Sequence, residues 1–269
     1  MIIPTNFQNL YKPIQPTVKP SSDVGCYEEI LPAPALSNLI CCYWRLQTLE
    51  PLTAPFYYRV VADGCMDIYF DRNNPEDSFV MGFCKQYTEF PLYDTFDYIG
   101  IRFFPSIFPQ LFKIAASELS NRFEKLDAVI PRTASFIADY CSPQQSLDQI
   151  IQTLDLYFLN LMHSNFMDND PRFYNALNII LDKQGIIQVE KDLDTGLSTR
   201  QLRRHFDYYI GDSAKTFSKV VRFQNILREA GQSPSIPPRS AETGYYDQAH
   251  FIKEFKTLYG STPGKIYER

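Results

Sequence analysis

The side chains best suited to a chemical task lie in the last third of the chain. In "LSTRQLRRHFDYYIG" (197–211), Arg200, Arg203 and Arg204 stand three and four residues apart, which puts them on one side of a helix. Leu202, Phe206 and Tyr209 fall on the other side at i, i+4 and i+7. A guanidinium presents a planar fork of donors that suits phosphate oxygens and the major-groove edge of guanine. An arginine-rich helix is more often a plain solvated face, so a second feature has to single this one out.

That feature is a copy of the design 49 residues further on, in "GYYDQAHFIKEFKTLYGSTPGKI" (244–266). Asp247 stands where Ser198 did, Phe251 for Leu202, Phe255 for Phe206, Leu258 for Tyr209 and Gly260 for Gly211. Each copy therefore has an N-cap, an apolar triplet and a terminating glycine. Ala249, Ile252 and Lys253 occupy the places of the three arginines. A duplicated short helix preceded by a turn predicts two helix-turn-helix units. Between them, "SAKTFSKVVRFQNILREA" (213–230) has the helical period, and at about 1.5 Å per residue gives a rod of roughly 27 Å. Such a spacer could hold two helices about one DNA turn, roughly 34 Å, apart.

The second copy, with Gly244, Tyr245, Asp247, His250, Phe251, Phe255, Gly260 and Pro263, resembles the signature of the AraC/XylS family of bacterial transcription regulators. Ser198, Arg200, Leu202, Arg204, Phe206 and Gly211 of the first copy fit it as well, and the resemblance covers roughly 171–269. It implies two helix-turn-helix units, each inserting its second helix into the major groove. Arg200, Arg203 and Arg204 would read bases in one unit, and Gln248, Ala249 and Lys253 in the other. Ser198, Thr199, Tyr246 and His250 complete the expected DNA-contacting set, with His250 a packing or phosphate residue rather than a catalyst. The implied partners are double-stranded DNA, RNA polymerase, a small-molecule effector and a second copy of the chain. Two departures stand out. The Leu-Ala pair common on the family's supporting helices is replaced by Lys191-Asp192 in the first unit. In the second it is replaced by Arg239-Ser240, and Pro237-Pro238 confines that supporting helix to about 237–243.

Whole-chain charge conceals this organisation. The net charge is −5, but residues 1–170 carry 11 Lys+Arg against 20 Asp+Glu (net −9), and 171–269 carry 15 against 11 (net +4). An acidic front and a basic tail predict two modules with different partners, set at 1–167 and 171–269 on either side of "MDNDPRF" (167–173). The fold class expected is α+β: a β-rich small barrel or sandwich, a helical connector, and an all-α tail. Strands are predicted in 57–72, broken at Asp63-Gly64, and in 77–93 and 95–105. Helices are predicted in 109–126, in 146–166 with Ser146 as cap, and from 171 to 184, ended by Gly185. The front stretches "LICCYWRL" (39–46), "VVADGCMDIYF" (60–70) and 98–126 resemble the module found ahead of AraC-type tails. Ala62 stands where proline is common there, and Ser106 where glycine is common.

Within the front module, Tyr43, Trp44, Tyr58 and Arg102 are the candidate wall of a ligand pocket, although filling a β core also accounts for the aromatics. The three histidines, 163, 205 and 250, lie outside the strand-rich region, so no histidine-bound metal and no cofactor is expected there. Asp63, Asp67 and Glu89 could serve a metal-free barrel enzyme, but Asp63 is better explained by its turn. A degenerate regulator acting through protein contacts is the other alternative. The six cysteines, at 26, 41, 42, 65, 84 and 141, form no Cys-x-x-Cys pair and are read as reduced. No leader pattern and no apolar run of membrane-spanning length is present, which points to a cytoplasmic, non-membrane protein, and the tail read as a DNA-binding unit points to a non-enzymatic one.

Overall fold

A computed structural model describes residues 6–15, 25–164, 170–232 and 244–267. The expected supporting helix at 237–243, with Pro237-Pro238 and Arg239-Ser240, lies outside the described residues.

The front module is built on β1 (Gly25–Ile30), β2 (Ile40–Thr48), β3 (Phe56–Val60), β4 (Met66–Asp71), β5 (Ser78–Met81), β6 (Thr88–Leu92), β7 (Asp97–Phe103) and β8 (Phe123–Lys125). Six strands form one antiparallel sheet in the order β1-β2-β7-β4-β5-β8, while β3 and β6 pair only with each other. The barrel considered from sequence is therefore not closed: β1 and β8 remain edges, and the β3–β6 ribbon covers one face instead.

Strand alternation gives the large sheet two distinct faces. Ile68, Phe70, Val80, Ile99, Ile101 and Phe103 are fully buried on one side, where the Phe103 ring meets Phe158 at 5.4 Å and Phe108 at 6.0 Å. Trp44, Leu46, Asp67, Tyr69, Tyr98 and Arg102 face the ribbon. Gly100 lies opposite both Trp44 and Tyr69 in the ladder. A Cβ there would fall 2.0 Å from Cε2 of Trp44, so the indole rests where only a glycine leaves room.

The helices are α1 (Phe7–Leu10), α2 (Ile107–Phe112), α3 (Ala116–Leu119), α4 (Leu126–Val129), α5 (Pro131–Tyr140) and α6 (Leu147–Ser164) in the front half. The tail holds α7 (Pro171–Asp182), α8 (Val189–Asp192), α9 (Thr199–Tyr209), α10 (Ala214–Gln232), α11 (Gln248–Tyr259) and α12 (Pro263–Tyr267). The helical stretch predicted over 109–126 is broken into α2, α3, β8 and the start of α4. Lys113 and Asn121 adopt left-handed backbone there, with φ of 60° and 58°, and β8 is drawn onto β5. Ser106, where the resemblance favours glycine, has φ 72° and opens α2. In α6, Ser146 accepts from the Gln149 N–H, and Ile150, Leu154 and Phe158 are buried against the helix's own module.

Instead of a free rod, α10 is buried along most of its circumference. Phe217, Val220, Val221, Phe223 and Ile226 lie in a core that runs without interruption from Phe7 to Tyr259. Gln224 donates from Nε2 to the Ala62 carbonyl at 2.8 Å and accepts from the Ile14 N–H at 2.8 Å. The contrast in charge along the sequence thus does not correspond to two separate cores.

Candidate nucleic-acid interface

The first candidate recognition helix, α9, begins in a capping box. The Ser198 hydroxyl accepts from the Gln201 N–H, and the Gln201 side chain accepts from the Ser198 N–H at 3.0 Å. Leu202, Phe206 and Tyr209 are buried, and Phe206 stacks edge-on to Phe173 of α7 at 5.3 Å. With the apolar stripe inward, Thr199, Arg200, Arg203 and Arg204 are all exposed. None of the three arginines has an ion-pair partner among the described residues. Gly211, with φ 99°, ends the helix. The supporting turn, α8, is a single turn in which Asp192 receives Lys183 Nζ at 2.6 Å and the Gln188 N–H at 2.7 Å, while Lys191 is exposed.

The second, α11, is capped by Asp247, whose carboxylate accepts from the His250 N–H at 2.7 Å. Phe251, Phe255 and Leu258 are buried, and Phe255 meets Phe223 of α10 at 5.4 Å. Gln248, Ala249, His250, Ile252 and Lys253 are exposed, and Tyr246 is 95% exposed just before the cap. This face is less cationic than that of α9.

Sequence reasoning missed what orients α11. Glu254 is buried and takes Arg222 Nη2 of α10 at 2.6 Å and Lys219 Nζ at 3.0 Å. The Arg222 guanidinium also lies over the Tyr245 ring at 4.1 Å and donates to the Gly244 carbonyl at 3.2 Å. Burial alone would raise the Glu254 carboxyl, but the neighbouring Tyr245 hydroxyl and the Arg222 and Lys219 cations hold it below the usual glutamate range. The signal available was an acidic residue amid the apolar triplet, on a helix following an arginine-bearing one.

Both helices are tied at their C-terminal ends to the front module. Ser120 Oγ donates to the Gly211 carbonyl at 2.6 Å. The N–H groups of Ala62 and Tyr87 donate to the Leu258 and Thr257 carbonyls at 3.2 and 3.1 Å. These donors flank the β3–β6 ribbon, so the last-turn carbonyls of α11, which lack partners within the helix, find them there. Arg59 on the outer side of β3 pairs with Glu89 at 2.6 Å, and a Cβ at Gly260 would meet Tyr87 at 2.8 Å and Arg59 Nε at 3.0 Å.

The inner side of the same ribbon roofs a cavity of about 280 Å³. Trp44, Tyr58 and Arg102 line it, joined by Asp67, Tyr69 and Phe90. Tyr43 does not. It follows Cys42 and precedes Trp44 on β2, so it points to the opposite face, where its hydroxyl donates to Asp155 at 2.9 Å. Arg102 is 1% exposed and is held by Asp67 at 3.1 Å, Asp63 at 3.3 Å and Glu29 at 3.5 Å. Trp44 Nε1 donates to Asp67 at 2.9 Å. Burial pushes the Asp67 carboxyl up to about 6 against the pull of Arg102. Asp63 also caps its own turn through the Cys65 N–H at 3.0 Å, with Gly64 at φ 74°.

Residues 194–269 match the family described as a helix-turn-helix domain, and residues 28–125 match a domain of unknown function, DUF6597. Over 102 residues the chain is 33% identical to the HTH-type transcriptional regulator GlxA of Rhizobium meliloti (strain 1021). That stretch is 35% of this chain, and the chain spans about a third (31%) of the length of GlxA. The tail, residues 194–269, is a helix-turn-helix domain. An antiparallel sheet module stands in front of it. Among solved structures it is similar to an apo form of a ToxT variant from Vibrio cholerae strain SCE256, with 8% identity, 92% of this chain and 98% of that one covered, and a TM-score of 0.40. It is also similar to ToxT from Vibrio cholerae O395 bound to (E)-4-(8-methylnaphthalen-1-yl)but-3-enoic acid, with 8% identity, 90% and 98% covered, and a TM-score of 0.43.

Proposed function

We propose that the chain is a sequence-specific DNA-binding transcription regulator whose two recognition helices are governed by a small molecule held in the front module. The observation that carries this reading is the pair of capped helices, α9 and α11. Each buries an apolar triplet in the common core and keeps Arg200, Arg203 and Arg204, or Gln248, Ala249 and Lys253, in solvent. Affinity comes mainly from phosphate neutralisation, and specificity from the arginine forks and the α11 face in the groove. His250 and Tyr246, exposed at the start of α11, suit phosphate contact.

The ribbon supplies the control. Its inner side forms the cavity wall, and its flanks hold the C-terminal carbonyls of α11. A ligand that moved β3 and β6 would therefore shift one recognition helix relative to the other. The reading places the protein in the cytoplasm and gives it no catalytic role. RNA polymerase and a second copy of the chain follow as partners from the class. No helix of the described residues is long and apolar enough to cross a membrane. The carboxylates considered for catalysis are held: Asp63 by Gln15, Asp67 by Arg102 and Trp44, and Glu89 by Arg59.

Selection of bound sequences from random DNA by the full chain tests this. Enrichment of two half-sites about 10 base pairs apart is expected. The single-turn α8 favours one alternative, a tail acting through protein contacts, and recovery of unselected DNA would favour that reading instead.

A further inference from the structure

Resting on the reading of the cavity as the effector site, we infer that its ligand is an apolar body bearing one cationic amine, and not a carboxylate. Arg102 is the only cation among the described residues lining the cavity, and its guanidinium is already spent on Asp67, Asp63 and Glu29. Beyond the lining, Lys125 lies 4.4 Å from the centre of the Phe79 ring and is itself paired with Asp77. These two cations meet four carboxylates, so an incoming carboxylate would find no free partner and an excess of like charge. An amine meets the reverse. Asp67 accepts from Arg102 Nε, Arg102 Nη2 and Trp44 Nε1. A carboxylate offers about four lone-pair positions, so one is left for a ligand donor.

The walls agree with this assignment. Trp44 and Tyr69 lie 6.0 Å apart, Tyr69 and Phe79 5.2 Å, and Tyr69 and Tyr98 6.1 Å, and all four rings line the cavity. Aromatic faces attract a desolvated cation through the ring quadrupole. Leu46, Val60, Met81 and Leu92 supply the apolar remainder. A cavity of about 150 Å³ already holds benzene, so about 280 Å³ takes a compact polycyclic body.

Trp44 is the chain's one tryptophan, so its emission reports on this cavity alone. The probes are 1-adamantanemethylamine, 1-adamantanemethanol and 1-adamantanecarboxylate, which share one rigid, spectroscopically silent body. In titrations of the full chain the amine is expected to change Trp44 emission saturably, with affinity about tenfold above the alcohol and more above the carboxylate. Asp67→Asn should abolish that preference. Because this variant also deprives Arg102 of a partner and could fail to fold, the wild type is titrated across pH as well. There the amine should weaken below about pH 6, as Asp67 takes up a proton, while the alcohol does not. A carboxylate that bound as well as the amine would overturn the ligand class and leave small-molecule control standing. Silence of Trp44 toward all three probes would remove both.

Discussion

The backbone N–H of Tyr87 donates to the carbonyl of Thr257 at 3.1 Å, joining the start of β6 to the last turn of the second candidate recognition helix, α11. With the Ala62 to Leu258 bond beside it, the link makes α11 a structural neighbour of the cavity roof. Gly260→Ala tests the link. The residue has φ 88°, and its Cβ would strike Tyr87 and Arg59. We expect a loss of about 1–3 kcal/mol of stability and faster hydrogen exchange at the Ala62 and Tyr87 amides. Unaltered protection of those two amides would show that the ribbon and the helix are not coupled.

Gly100→Ala should disturb the cavity from the sheet side. The new methyl would lie 2.0 Å from the Trp44 ring, so the indole must leave its bond to Asp67. A destabilisation of roughly 3 kcal/mol in denaturant titrations, together with a shifted Trp44 emission maximum, is the expected result.

Asp67 gives the cavity a pH signature. It faces Arg102, Asp63 and Trp44, with Tyr58 and Glu29 nearby, and burial raises its carboxyl to about 6. A carboxyl raised on folding contributes stability that is present below its ordinary value and lost as pH rises through about 6. Trp44 emission should therefore titrate with a midpoint near 6 in the wild type and be flat across that range in Asp67→Asn.

Glu254 has the opposite sign. Its folded-state value is held below the ordinary one, so its contribution is present above the ordinary glutamate range and lost as pH falls through the folded value. As pH falls below the ordinary glutamate range, the wild type should lose more stability than Glu254→Gln. At neutral pH, Glu254→Ala should cost roughly 3 kcal/mol by leaving Arg222 without its buried partner. Parallel acid-unfolding curves for wild type and Glu254→Gln would contradict the first expectation.

Local rules made the tail legible. The Ser198 and Asp247 caps, the apolar triplets and the glycine stops are properties of a single helix, so spacing alone reveals them. Where long-range contacts decided the outcome, the sequence was silent. Lys113 and Asn121 break the 109–126 stretch because β8 is drawn into the sheet, and helical period carries no record of that pairing. Arg102 meets Asp67 through a strand register, and Arg222 meets Glu254 across 32 positions. Tyr43 was within reach, since strand alternation puts the neighbour of Trp44 on the opposite face. Lys191-Asp192 proved to be a single turn braced by Lys183.

The most direct measurement is the affinity of the Arg200→Ala, Arg204→Ala double variant for a DNA sequence selected by the wild type, across a series of salt concentrations. Both side chains are exposed, so the fold should survive, as circular dichroism can verify. The expected result is loss of discrimination against unrelated DNA, with the phosphate-dominated salt slope changed much less than the specificity. Equal affinity, specificity and slope for variant and wild type would contradict a DNA-reading role for the exposed face of α9.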